Sequence, residues 1–171
     1  PEAVAKATLA AGDGLPREGA IFMSVADAEK DAAILMALML RTLGFRILAT
    51  GGTHRALRLN GIESEAVLKF TEGQEARAMT IVDLIEAGQV DLVINIPRGR
   101  GAQADGYEIR RAALRRGVPT MTNAAAAHAA VQGIADALRT REIEVTCLQD
   151  LHGRLAVSAA RGDASAGEVH A

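Results

Sequence analysis

Five short, almost uninterrupted apolar runs alternate with longer stretches of helical periodicity, and this alternation constrains the fold more than any other feature. The runs are Ala20–Val25 (AIFMSV), Phe45–Ala49 (FRILA), Glu65–Phe70 (EAVLKF), Val90–Ile96 (VDLVINI) and Val118–Thr122 (VPTMT). Strands that are apolar on both faces belong to sheets covered on both sides. Helical patterns separate them, at Ala26–Leu43, Thr53–Leu59, Glu75–Ala87, Tyr107–Arg116 and an Ala-rich run from Asn123 to about Thr140. Asp27 is placed to cap the first helix, Asn123 the last, and Gly44, Asn60-Gly61, Gly88 and Gly117 stand as stops. Glu142–Leu148 and Leu155–Ser158 read as a final strand or hairpin. The order predicts an α/β fold, a parallel sheet with helices on both faces.

Composition removes several functions. The 171 residues fit one domain. Nineteen basic residues against 21 acidic ones lack the excess of a general nucleic-acid binder. Aromatic residues are 2% of the chain, too few for base-stacking platforms. Cys147, the single cysteine, forms no internal disulfide and points to a reducing, cytoplasmic setting. The longest clearly apolar run, Ile34–Leu40, is too short to span a bilayer. The chain opens on Pro1 rather than Met, which reads as a piece of a longer polypeptide or a processed start. Residues 159–171 are expected to form a disordered tail, since Arg161–Ala171 is small, polar and aperiodic.

In an open parallel sheet, ligands bind beyond the carboxyl ends of the strands. The second strand ends in Ala49-Thr50-Gly51-Gly52-Thr53-His54 and runs straight into a helix. Two glycines let backbone N–H groups approach a ligand, the threonines add hydroxyls, and the helix N-terminus adds partial positive charge. Such a turn suits a phosphate or carboxylate, although strand–Gly-Gly–helix turns also occur as simple connections. Lysine usage adds weight. Three lysines stand against sixteen arginines, and Lys30 and Lys69 both fall at strand ends on this edge. Ammonium point charges suit an anion approached from several sides; ordinary solvated lysines are the plain alternative.

The fourth strand supplies Asn95 and then the loop Pro97–Gly106, in which Arg98 and Arg100 could clamp a second anionic or carbonyl group or simply face solvent. Thr122 follows the fifth strand. His54, His128, His152 and His170 lack metal-ligand spacing, so no metal site is expected. Ser24 and Ser158 have no evident base for nucleophilic catalysis. Arg110-Arg111 and Arg115-Arg116 read as a solvated helix face.

The succession IFMSVADAEK, LGFRILATGGTHRAL, LKFTEG, VDLVINIPRGR and IRRAALRRGVPTMTN resembles the methylglyoxal synthase-like domain superfamily. Within it, the sequence is similar to the C-terminal allosteric domain of carbamoyl phosphate synthase large chains, over about Ala20 to His152. The resemblance implies a three-layer α/β/α domain over 20–158 with a five-stranded parallel sheet of Rossmann-like topology. Residues 1–19 would be a linker from a preceding synthetase body.

It also implies a regulatory, non-catalytic role: binding a nucleoside monophosphate such as UMP or IMP. Lys30, Thr50, Gly51, Gly52, Thr53 and Lys69 would hold the phosphate, and Asn95, Arg98 and Arg100 the base or ribose. A family threonine in the next loop stands here as Pro97, which removes a hydroxyl and an N–H. Ornithine is a second implied effector, with Thr122 matching one contact, but a neighbouring acidic position is Met121. The parent would be an ATP-dependent ligase of pyrimidine and arginine biosynthesis, using magnesium or manganese and a glutaminase small subunit. No cofactor is expected in this domain.

Two enzymes share the fold. Methylglyoxal synthase eliminates phosphate from dihydroxyacetone phosphate with a carboxylate after the third strand and a histidine after the fourth. This sequence has no Asp between Phe70 and Val82 and no His between His54 and His128. The cyclohydrolase domain of purine biosynthesis carries a similar turn, but a basic, His-containing loop replaces the FTEGQEARAMT found here.

Overall fold

The computed structural model describes residues 14–72, 78–98 and 101–139. They lie within the first of two units, Pro1–Arg141. The expected linker up to residue 13, the strand or hairpin over 142–158 and the tail fall outside the described residues.

Five strands form one all-parallel sheet: β1 (Ala20–Val25), β2 (Arg46–Thr50), β3 (Glu65–Val67), β4 (Leu92–Ile96) and β5 (Thr120–Met121). Their order is β3-β2-β1-β4-β5. The helices are α1 (Lys30–Thr42), α2 (Gly51–Leu59), α3 (Ile81–Glu86), α4 (Gly101–Arg116) and α5 (Ala124–Arg139).

Strand alternation divides the core into two halves. Ile21, Met23, Ile47, Ala49, Leu92 and Ile94 pack with α1, α2 and α5 through Ala33, Met36, Leu40, Leu57 and Val131. Phe22, Leu48 and Val93 face the other way, against Ile81 and Ile85 of α3 and Ile109, Ala112 and Ala113 of α4. This is the three-layer α/β/α arrangement the apolar runs predict. Phe22, Phe45, Met23 and Ile94 are fully buried. Each buried large side chain of this kind contributes about 1.5–3 kcal/mol relative to exposure.

Several boundaries differ from the expectation, each for a local reason. Asp27 does not cap α1. It opens a 3-10 turn, Asp27–Glu29, and its exposed carboxylate stands 3.8 Å from Lys30 Nζ. Strand β3 stops at Val67 instead of continuing to Phe70: Leu68 makes only an isolated bridge to Thr80, and the Lys69 N–H is taken by Glu72 Oε2 at 2.9 Å. Residues 70–72 are already helical. Of the helix expected over Glu75–Ala87, residues 75–77 lie outside the described residues and Ile81–Glu86 is observed. A reciprocal cap starts it, with Asp83 N–H donating to Thr80 Oγ1 and Thr80 N–H to Asp83 Oδ2.

The loop expected over Pro97–Gly106 is shorter than that, because α4 begins at Gly101. Asn123 does cap α5, its Oδ1 accepting from Ala126 N at 2.8 Å. Gly44, Gly61, Gly88 and Gly117, expected as helix stops, all hold positive φ. Among the described residues, no helix is long and apolar enough to cross a membrane.

Candidate functional site

A cavity of about 460 Å³ opens beyond the carboxyl ends of the strands. It lies where the backbone departs from β1 towards β2 on one side and β4 on the other, the switch point at which open α/β sheets hold ligands.

Its floor is a polar row on the α3/α4 face of the sheet. Leu48, Phe22 and Val93 pair across β2, β1 and β4 as one apolar level. Two residues further on, the same face carries Thr50, Ser24 and Asn95. Ser24 and Asn95 are register partners, and Thr50 Oγ1 donates to Ser24 Oγ at 3.3 Å. The sheet thus turns polar where the cavity begins. Asn95 is 3% exposed, and its Nδ2 has no hydrogen-bond partner among the described residues. A buried unpaired amide is costly unless something satisfies it.

Lys30 forms the cationic wall. Its Nζ donates to Val25 O at 2.7 Å and to Thr53 Oγ1 at 3.0 Å, and it lies beside Gly52 in the first turn of α2. Burial pushes the Lys30 pKa below its ordinary value; Asp27 partly opposes this and the Lys69 charge adds to it. Lys30 and Lys69 thus present two like charges to one space, which Asp27 and Asp105 also line. Lys69 Nζ stands 3.8 Å from Glu72 Oε1, a loose, half-exposed pair.

Of the residues the sequence nominates, Lys30, Thr50, Gly52, Thr53, Lys69, Asn95 and Arg98 line this cavity. Gly51 stands next to it as the exposed first residue of α2. Three of these residues are arranged differently from the expectation. Thr50 and Thr53 are buried, and their hydroxyls hold Ser24, Val25 and Lys30 within the wall. Arg98 pairs with Glu29 at 3.2 Å, joining the segment after β4 to the turn after β1. Arg100 lies outside the described residues. Thr122 is elsewhere, in a second cavity of about 350 Å³ with Arg110 and Thr120.

Three residues of α4 that the sequence pattern alone does not nominate also line the first cavity: Asp105, Gly106 and the apolar Ile109. Asp105 is 8% exposed, and its Oδ1 accepts from the Thr71 N–H and hydroxyl, each at 3.0 Å. The signal was present: carrying the buried stripe Ile109–Ala112–Ala113 back one turn reaches position 105. Ser24, which has no base to make it a nucleophile, is placed in the floor by its register with Asn95.

Two ammonium groups, the start of a helix, an orphaned amide and a carboxylate thus converge on one cavity at the strand ends of an α/β domain covered on both faces. The cationic end suits a phosphate; Asn95 and Asp105 offer a donor and an acceptor to hydroxyl or carbonyl groups attached to it. By sequence comparison the protein belongs to the MGS-like domain family, whose family model matches residues 32–122.

Similar curated proteins agree. The sequence is 48% identical over 149 residues to the carbamoyl phosphate synthase large chain of Paenarthrobacter aurescens, covering 86% of this protein and 13% of that one. It is 44% identical over 170 residues to the large chain of Pseudarthrobacter chlorophenolicus, covering 99% and 15%. It is 48% identical over 148 residues to the C-terminal section of the carbamoyl phosphate synthase large chain of Methanopyrus kandleri, covering 86% and 26%. The 171 residues therefore span a small part of these relatives. A methylglyoxal synthase from Elizabethkingia anophelis NUHP1 shares the fold, with a TM-score of 0.55 and 20% identity over 68% of this protein and 79% of that one.

Proposed function

We propose that this protein is the effector-binding regulatory domain of a carbamoyl phosphate synthase large chain, taking a nucleoside monophosphate, UMP or IMP, in the first cavity. The single observation that carries this reading is Lys30, fixed by Thr53 and Val25 beside Gly52 with a second cation, Lys69, across the same space. The phosphate sits between these cations and the first turn of α2, and Asn95 serves the ribose or base. The domain has no catalytic residue and no cofactor of its own.

The parent is an ATP-dependent ligase, with magnesium or manganese, that makes carbamoyl phosphate from bicarbonate and glutamine-derived ammonia for pyrimidine and arginine biosynthesis in the cytoplasm. Its synthetase body and glutaminase small subunit are the partners. Regulation follows if the nucleotide prefers one arrangement of domain and body, since only differential affinity shifts an equilibrium. A coupling of about 1–3 kcal/mol is the usual scale. Ornithine is a second effector of this reading, with Thr122 as its contact.

Isothermal titration of the 171-residue protein with UMP, IMP and inorganic phosphate tests the proposal. One nucleotide binding more tightly than phosphate supports it; equal or absent binding in folded protein overturns it.

A second reading, a lyase acting on dihydroxyacetone phosphate, gains from Asp105, a carboxylate in the cavity. Proton abstraction beside a carbonyl also needs an electrophile, and among the described residues no histidine lines the cavity. Phosphate release from dihydroxyacetone phosphate would favour the lyase over the regulatory domain.

A further inference from the structure

Gly106 occupies the interior of α4, where glycine is the least favourable residue apart from proline. Its φ is not of the kind that requires glycine, so backbone conformation does not account for it. Space does. A Cβ built on Gly106 stands 3.0 Å from Asn95 Nδ2, 2.9 Å from Arg110 Nη1 and 3.8 Å from Arg110 Cζ. The two neighbours differ in their ability to yield. Arg110 is half-buried, and its guanidinium is the end of a flexible side chain. Asn95 is 3% exposed on a short, stiff side chain of β4, between Ile94 and Ile96. A methyl group at 106 therefore acts on the amide that lacks a partner.

We infer that Gly106 is a specificity-determining residue of the first cavity. Its missing side chain leaves the room in which the Asn95 amide is presented to the part of the ligand beyond the phosphate. This rests on the nucleotide reading for what Asn95 meets; the positioning of the amide stands on the contacts alone. Lys30, Lys69 and the start of α2 hold the phosphate without reference to position 106. Gly106 thus bears on discrimination between phosphorylated ligands, and not on anion affinity as such.

The test is Gly106→Ala, read in two ways. In the ligand-free protein, the Asn95 side-chain amide resonances are recorded in ¹⁵N spectra; they are expected to shift from those of the parent. By titration, inorganic phosphate is expected to bind within about twofold of the parent. The tighter of UMP and IMP is expected to lose at least about tenfold, the scale of one lost hydrogen bond to a buried amide. Unmoved Asn95 resonances, or equal losses for phosphate and nucleotide, overturn the inference.

If the parent binds phosphate and nucleotides alike, the nucleotide reading fails and the resonances alone decide the role of Gly106. Should the single variant unfold, Gly106→Ala with Arg110→Ala removes the second contact and is read in its place. If that also unfolds, the room over Gly106 serves folding, and the inference is wrong.

Discussion

Lys30 Nζ donates to Thr53 Oγ1 at 3.0 Å, and the same hydroxyl accepts from Val25 N at 3.2 Å. One buried side chain at the start of α2 thereby fixes both the end of β1 and the cation that follows it. Thr53 is 1% exposed, so its first effect is to aim Lys30. Thr53→Val is expected to leave the Val25 N–H unpaired, costing about 1–3 kcal/mol of stability, and to weaken phosphate and nucleotide binding by the same factor. Thr53→Ser is expected to restore both. Chemical denaturation and titration of the two variants check this.

Lys69 behaves differently because its ammonium is half-exposed and only loosely paired with Glu72. Lys69→Ala is expected to change stability by less than about 0.5 kcal/mol while reducing nucleotide affinity. Unchanged affinity in calorimetry would remove Lys69 from the site.

The lowered pKa of Lys30 gives a pH dependence of definite sign. With the folded value below the unfolded one, the protonated lysine destabilises the folded state at low pH. That penalty fades as pH rises through the lowered pKa. A bound anion favours the ammonium form and pulls the pKa back up. Binding is therefore expected to take up protons, and affinity to fall as pH rises through the Lys30 pKa of the free protein. Titration in buffers of different ionisation enthalpy measures the uptake; Lys30→Met should abolish it.

The cap of α3 is a second titrating device. Hydrogen bonds from the Thr80 N–H and hydroxyl hold the Asp83 carboxyl below its ordinary range. Its contribution is complete above the ordinary carboxylate range and is lost as pH falls through the lowered value. Thr80→Ala is expected to cost about 1 kcal/mol, visible as an earlier urea midpoint at neutral pH.

The fold was legible because each interior strand is apolar on both faces: Ile21, Met23 and Phe22 announce two covering layers without any neighbour being known. The cationic end of the site was legible for a similar reason. Thr50 to Thr53 is a local turn, and Lys30 and Lys69 stand out in an arginine-rich sequence. What stayed hidden depends on partners distant in sequence. Asp105 meets Thr71, and Gly106 meets Asn95, only once α4 has packed against the sheet. The engagement of Arg98 by Glu29 is likewise a contact between two loops that periodicity cannot register. β3 ended early because a side chain, Glu72, took the N–H that a continuing strand would have used.

Chemical-shift mapping locates the ligand residue by residue. On addition of the tighter-binding nucleotide to ¹⁵N-labelled protein, the backbone amides of Gly51, Gly52 and Thr53 and the side-chain amide of Asn95 are expected to shift together, with inorganic phosphate moving the first three alone. Shifts confined to the second cavity, around Thr120 and Thr122, would instead place the ligand there and exclude it from the first.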